Sequence, residues 1–331
     1  MFVEMFVREG KLARRLHHAA IVRTYEIDKT DNLYYIVMEH LDGIDLSAIL
    51  RYSRKNPSYR LPVPHCIYIA CRVAAGLEYT HRLSDSTNQN MGIVNRDVSP
   101  SNIRITFNGT VKILDFGIAK NAKTLNSELG ILKGKVSHMS PEQIRGIPVD
   151  SRSDLFSLGV VLHEMISNKR LFSGKDEFEV MDRVRRAAVP MPSSFNAKAG
   201  RKVDNIVMRL LQKLPEDRYQ SASRFYHDAM EILQSYDFSQ SELESFIEQI
   251  HNAMNKTPSR KQSQSSIVPP KFQSQSPVQQ HHSEEISSYH YASERSASKK
   301  TVKTALILVA CSVALIIFSI LIAVKKGLFV E

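Results

Sequence analysis

The sequence predicts an α+β fold, and three observations carry that prediction. Two alternating apolar stretches meet at Asn108-Gly109, the strongest short signal for a β-hairpin. Two longer stretches, residues 66–83 and 153–167, repeat apolar residues at helical spacing. Turn signals separate these segments from Met1 to about Ser235, as in a globular domain, and no internal repeat is visible.

Taken in chain order, "NLYYIVMEHL" reads as a strand and its exit. "CIYIACRVAAGLEYTHRL" reads as a long, mostly buried helix in which Ile67, Ala70, Ala74, Leu77 and His81 trace one face. "IRITFNGTVKIL" reads as the hairpin. In "SDLFSLGVVLHEMIS", Leu155, Leu158, Leu162, Met165 and Ile166 fall at helical spacing, and Ser153 or Asp154 is the expected cap. "SQSELESFIEQIHNAM" is an amphipathic helix that closes the globular region, giving a helical extension over 236–255 after a domain of 1–235.

Composition narrows the remaining possibilities. A hydrophobic content of 43% over 331 residues is enough for a large core. The net charge of +10 suits anionic partners, but no basic stretch is interleaved with aromatics, so no nucleic-acid partner is expected. Cys66, Cys71 and Cys311 form neither a disulfide framework nor a zinc spacing, which fits a reducing compartment. His281 and His282 stand alone in polar sequence and read as solvated linker.

Residues 256–304, rich in Ser and Gln, hold too few large aliphatic residues to offset ordering entropy and read as a disordered linker. Ala305 to Val324 is an uncharged apolar run of twenty residues, the length of a transmembrane helix, followed by a short tail at 325–331. Basic residues flank it, Arg295, Lys299, Lys300 and Lys303 before and Lys325 and Lys326 after; the heavier amino-terminal side is the expected cytoplasmic side.

The stretch "IVNRDVSPSN" concentrates polar chemistry on an irregular turn between apolar segments. If Asn108 and Gly109 make a two-residue turn, Asn102 lies directly opposite Asp115, with Asp97 on the adjoining loop. An amide and a carboxylate held together at the open end of a hairpin are the hard oxygen donors that Mg2+ takes, with phosphate and water completing its octahedron. Asn102 and Asp115 are therefore the expected metal ligands.

"NRDVSPSN", "DFG" at 115–117, "SPE" at 140–142, "SDLFSLG" at 153–159 and "EDRYQSA" at 216–222 together resemble the protein-kinase signature set. The wording is most similar to the bacterial Hanks-type serine/threonine kinases, over roughly residues 1–235. The resemblance implies a bilobal protein-kinase-like fold with a mainly helical large lobe and an incomplete small β lobe. It implies ATP and Mg2+ as cofactors, proteins as substrates, Asp97 as catalytic base, and Asn102 and Asp115 as catalytic residues that hold the metal. Met38, Glu39 and Leu41 would form the hinge beside adenine, Glu9 would be the helix C glutamate, and Glu142 and Arg218 a structural ion pair. Arg96 would answer an anionic group on the activation segment, roughly 118–140, where Thr124, Ser127 and Ser137 are candidate phosphosites.

The same resemblance exposes departures. The sequence opens at about helix C, so the glycine-rich loop and the strand lysine are missing and an amino-terminal truncation is expected. Asn95 replaces a histidine, with looser packing beneath Phe116 expected; Arg104 stands under adenine where an apolar residue is usual; Ser99 replaces the loop lysine, a role open to Lys135. Two functions follow: a serine/threonine kinase tethered to the inner membrane by a single span, with its kinase-like domain cytoplasmic, or a pseudokinase acting as a binding module.

Overall fold

Apolar spacing builds the large lobe around two helices. The structure, a computed structural model, describes residues 2–30, 33–85, 87–115 and 136–256. Helices α1 (Phe2–Ala13), α2 (Leu46–Lys55) and α3 (Val63–His81) precede the loop that carries Asp97. After it come α4 (Pro141–Arg145), α5 (Ser151–Ser167), α6 (Glu177–Arg186), α7 (Gly200–Leu210), α8 (Ala222–Leu233) and α9 (Gln240–Lys256). Helix α5 is buried at every position from Ser153 to Ser167, which marks it as the central helix of the lobe. Gly159 lets α7 approach it, because a Cβ there would lie 2.7 Å from the Leu210 Cβ.

Helix α3 packs against α5 and α8, burying Ile67, Ala70, Ala74 and Leu77 completely, as their spacing predicts. Burying each such Leu or Ile stabilises the fold by about 1.5–3 kcal/mol. The thiols of Cys66 and Cys71 lie in the same core; burial pushes Cys71 up to about 12 and Cys66 higher still, so both are inert.

The small lobe contributes an antiparallel ribbon of β1 (Thr24–Thr30) and β2 (Leu33–Met38), with α1 packed on it. A second, three-stranded antiparallel sheet has the order β3 (Gly43–Asp45), β4 (Ile103–Thr106), β5 (Val111–Ile113). Ile103 and Ile105 point into the core while Arg104 stays half-buried on the other face.

Two expectations about local structure are corrected. The N-cap of α5 is Asp150, extended at φ −126° and accepting from Arg152 N, rather than Ser153 or Asp154. Asp154 is engaged elsewhere. The hairpin turn has three residues, not two: Ile103 pairs with Ile113 and Ile105 with Val111, leaving Phe107, Asn108 and Gly109 in the loop. Gly109 takes φ +72° and its N–H donates to Thr106 O at 3.0 Å, a turn closed by a left-handed residue. Phe107 is drawn out of the ladder because its N–H donates to Asp42 O and its ring meets His251.

Met1–Ser263 forms one compact unit, so α9 belongs to the same body as the preceding helices. It buries Leu243, Ile247 and Ile250, and Gln240 Nε2 donates to Asn108 O at 2.9 Å at the hairpin tip. The linker and apolar run expected at 256–304 and 305–324 lie outside the described residues, apart from Lys256 at the end of α9. Among the described residues no helix is long and apolar enough to cross a membrane.

Glu142 and Arg218 form a buried, two-pronged ion pair in the large lobe. Arg218 Nη1 and Nη2 donate to the two Glu142 oxygens at 2.7 and 2.8 Å, with exposures of 0% and 5%. The remaining guanidinium donors reach Gln212 O, Arg152 O and Lys213 O, so no N–H is orphaned. Burial raises the Glu142 carboxyl, but the hydrogen bonds and charge of Arg218 and the Ser153 hydroxyl outweigh it and hold the group below its ordinary value.

Replacing Arg218 by Ala strands that carboxylate in the core. Urea unfolding is expected to register a loss of about 3–5 kcal/mol. Because the native Glu142 pKa is depressed, its contribution is complete above the ordinary value of 4.5 and lost as pH falls through the native value. Thermal melts below pH 4.5 are therefore expected to fall more steeply for the unmodified chain than for Glu142→Gln.

Candidate active site

The loop between α3 and β4 is held from beneath by Asp154, which is fully buried on α5. Its Oδ2 accepts from Asn95 N and His81 Nε2, each at 2.8 Å, and its Oδ1 accepts from Arg96 N at 2.8 Å. Those bonds fix Arg96 at φ +63°, a left-handed backbone that costs a non-glycine residue about 1–2 kcal/mol. The kink directs Asp97 into the lobe's upper edge, where it is 9% exposed.

Asn95 couples that loop to the end of the hairpin. It is fully buried; its Oδ1 accepts from Asp97 N at 3.0 Å, and its Nδ2 donates to Asp115 O at 3.0 Å. The amide has one acceptor and one donor end, and both are satisfied by the two segments that carry the candidate acids; the looser packing expected at this position concerns Phe116. Phe116 itself lies outside the described residues.

The three-residue turn changes how Asn102 and Asp115 are related. Asn102 sits opposite Leu114, whose N–H donates to Asn102 O at 2.9 Å, and Asp115 follows one residue beyond. Asn102 Nδ2 donates to Asp97 O at 3.0 Å, which leaves Oδ1 as the acceptor end of the amide. Asp115 is exposed, its backbone held by Asn95. An amide oxygen and an accessible carboxylate beside Asp97 are donors that fit magnesium.

Arg96 O accepts from Gln143 Nε2 at 3.1 Å. Gln143 closes the capping box of α4 with Ser140, so the start of that helix is tied to the catalytic loop. Ser137 is 5% exposed, its Oγ 3.1 Å from His138 Nδ1, which places this candidate phosphosite in the packed interior. Thr124, Ser127 and Lys135 lie outside the described residues. Ser99 Oγ lies 2.9 Å from Ser101 Oγ.

At the hinge, Met38 ends β2 and is half-exposed. Glu39 N is spent on Arg23 O, while its carboxylate pairs with Lys112 and accepts from Arg23 N. Arg104 donates through Nε to Leu41 O at 2.8 Å and through Nη1 to Asp45 Oδ1 at 2.8 Å. Asp45, Arg104, Lys112 and Glu39 thus form a polar row across neighbouring strands and the hinge segment. Glu9 lies half-buried on α1, beside the β1–β2 ribbon.

Sequence reading named Asp97, Asn102 and Asp115 as site residues, took Asp154 for a cap and Asn95 for a departure from the family pattern, and did not name Gln143; these last three position the loop. Only Gln143 carried a local signal, the Ser-Pro-Glu-Gln capping pattern.

Comparison with known proteins agrees with this geometry. Residues 3–236 match the family described as protein kinase domain. Similar proteins include the tyrosine-protein kinase MasK of Myxococcus xanthus, 37% identical over 239 residues, covering 72% of this chain and 37% of that protein. The serine/threonine-protein kinase PknB of Mycobacterium tuberculosis is 36% identical over 239 residues, covering 70% of this chain and 36% of that protein. The chain thus spans little more than a third of the length of these relatives. Among solved structures, the Mycobacterium tuberculosis PknI kinase domain superposes with a TM-score of 0.52 at 26% identity, covering 70% of this chain and 78% of that one. An acid on a kinked loop, an amide and an acid at the hairpin's open end, and a family match over residues 3–236 converge on one conclusion: the chain belongs to the protein kinase family.

Proposed function

We propose that the chain transfers the γ-phosphate of ATP to serine and threonine hydroxyls of proteins. The observation that carries this reading is the bonded path from Asp154 through Asn95 to both Asp97 and Asp115. It holds a base and a metal-binding acid on one rigid support, and phosphoryl transfer is mainly positioning and charge stabilisation.

In this mechanism the acceptor hydroxyl gives its proton to Asp97 while its oxygen bonds to the γ-phosphorus. The bond from that phosphorus to the bridging oxygen breaks, and ADP leaves. Magnesium, when bound, neutralises charge on the phosphates; the Asn102 amide oxygen and the Asp115 carboxylate would hold it. Asn95 keeps the two acids in register. PknB's type supports serine and threonine as acceptors, and the name of MasK makes tyrosine the alternative.

One observation favours a second reading, a binding module without transfer. Ser99 stands in place of the family's loop lysine, and its hydroxyl is turned to Ser101. ATP binding without label transfer would select that reading.

The proposed location is the inner membrane, with Ala305 to Val324 as a single span and the kinase domain cytoplasmic; an uncharged run of this length with basic flanks supports it. The full chain is expected to sediment with membranes and resist carbonate extraction, and a fragment ending at residue 304 to stay in the supernatant. A soluble full chain would remove the tether.

Transfer from labelled ATP, followed by phosphoamino-acid analysis, tests the activity. Asp97→Asn is expected to lower the rate roughly 10²–10⁴-fold. Asn95→Ala should lower kcat roughly 10- to 100-fold with KM for ATP little changed. Undiminished transfer from Asp97→Asn would refute the assignment of the base.

A further inference from the structure

A groove of about 540 Å³ opens beside the catalytic loop, walled by Ser99 and Ser101 on one side and by α2 on the other. Its lining is strongly one-signed: Arg51, Arg54, Lys55 and Arg170 face a single carboxylate, Glu164. That carboxylate is committed. Burial raises the Glu164 carboxyl, but the His138 ring at 3.7 Å and the Arg54 guanidinium, hydrogen-bonded at 2.8 Å, hold it lower and ionised. Arg54 is thereby neutralised.

Three cations remain. Arg51, Lys55 and Arg170 are exposed, and none is ion-paired among the described residues. They come from two separate elements, α2 and the segment after α5, which converge on one opening. Ser99 and Ser101 sit two and four residues past Asp97, so a chain lying in the groove passes the site where a hydroxyl would lose its proton. Like charges brought together with no counter-ion repel one another, and an anionic guest relieves that repulsion.

We propose that the groove selects protein substrates whose accepting hydroxyl is flanked by carboxylates, an inference that rests on Asp97 being the transfer base. Arg51, Lys55 and Arg170 are its specificity determinants. Basic flanking sequence is disfavoured by the same three charges.

The test separates selection from catalysis. Three fluorescent peptides share a core in which the accepting Ser is replaced by Ala, flanked by Glu, Gln or Lys. Their binding to the full chain is followed by anisotropy at low and high salt. The Glu peptide is expected to bind roughly tenfold more tightly than the Lys peptide at low ionic strength, with the gap shrinking as salt rises. The triple variant Arg51→Glu, Lys55→Glu and Arg170→Glu is expected to invert the order, with an unchanged thermal melt because all three side chains are exposed. A preference that survives the triple variant overturns the proposal, as does equal or undetectable binding of all three peptides. A chain that selects the Glu peptide but transfers no phosphate would leave the groove assignment intact and overturn the proposed activity instead.

Discussion

The active-site half of this molecule depends on one buried carboxylate. Asp154 satisfies two consecutive backbone N–H groups and one imidazole, and it does so from the helix with the deepest burial in the lobe. The two N–H groups belong to residues whose backbone has to kink, so the carboxylate offsets the strain of a left-handed Arg96 at the point where it arises. Asp97 can be aimed only because its neighbour is fixed in that conformation. Since α5 is packed on all sides, the support is as rigid as the core itself.

Glu142 and Arg218 apply the same logic at a second place. A buried ion pair stabilises little when its leftover donors are unmet, and here every guanidinium N–H has an acceptor. The pair anchors α4, whose Gln143 reaches Arg96 O; the catalytic loop is therefore gripped through its N–H groups from α5 and through a carbonyl from α4. The two grips meet on Arg96, one at its N–H and one at its carbonyl.

Periodicity made the large lobe legible. Helices α3 and α5 emerge from the spacing of Ile67, Ala70, Ala74 and Leu77, and of Leu155, Leu158, Leu162 and Met165, because helical spacing of apolar residues is a local pattern, even though α5 is buried all round. The candidate site residues, the acids Asp97 and Asp115 and the amide Asn102, were singled out for a different reason, an ordered set of short motifs. What failed were the features set by distant partners. Asp154 reads locally as a cap, but Asp150 supplies the cap and Asp154 turns inward to a loop 58 residues away. The Asn-Gly turn reads as two residues until Asp42 and His251 pull Phe107 into it. The joining role of Asn95 has no local signal, because the two groups it joins, Asp97 N and Asp115 O, are adjacent only after folding.

Helix α9 lies past residue 236, where the family match ends, yet it seals the tip of the hairpin through Gln240 and the ring contact of His251 with Phe107. Homology and cooperativity therefore draw the end of this domain in different places. A fragment trimmed to the homologous boundary would bare the apolar seam that Leu243, Ile247 and Ile250 fill and untie the strand pair on which Asn102 and Asp115 are mounted. The smallest piece of this chain that can be judged for activity extends to Lys256.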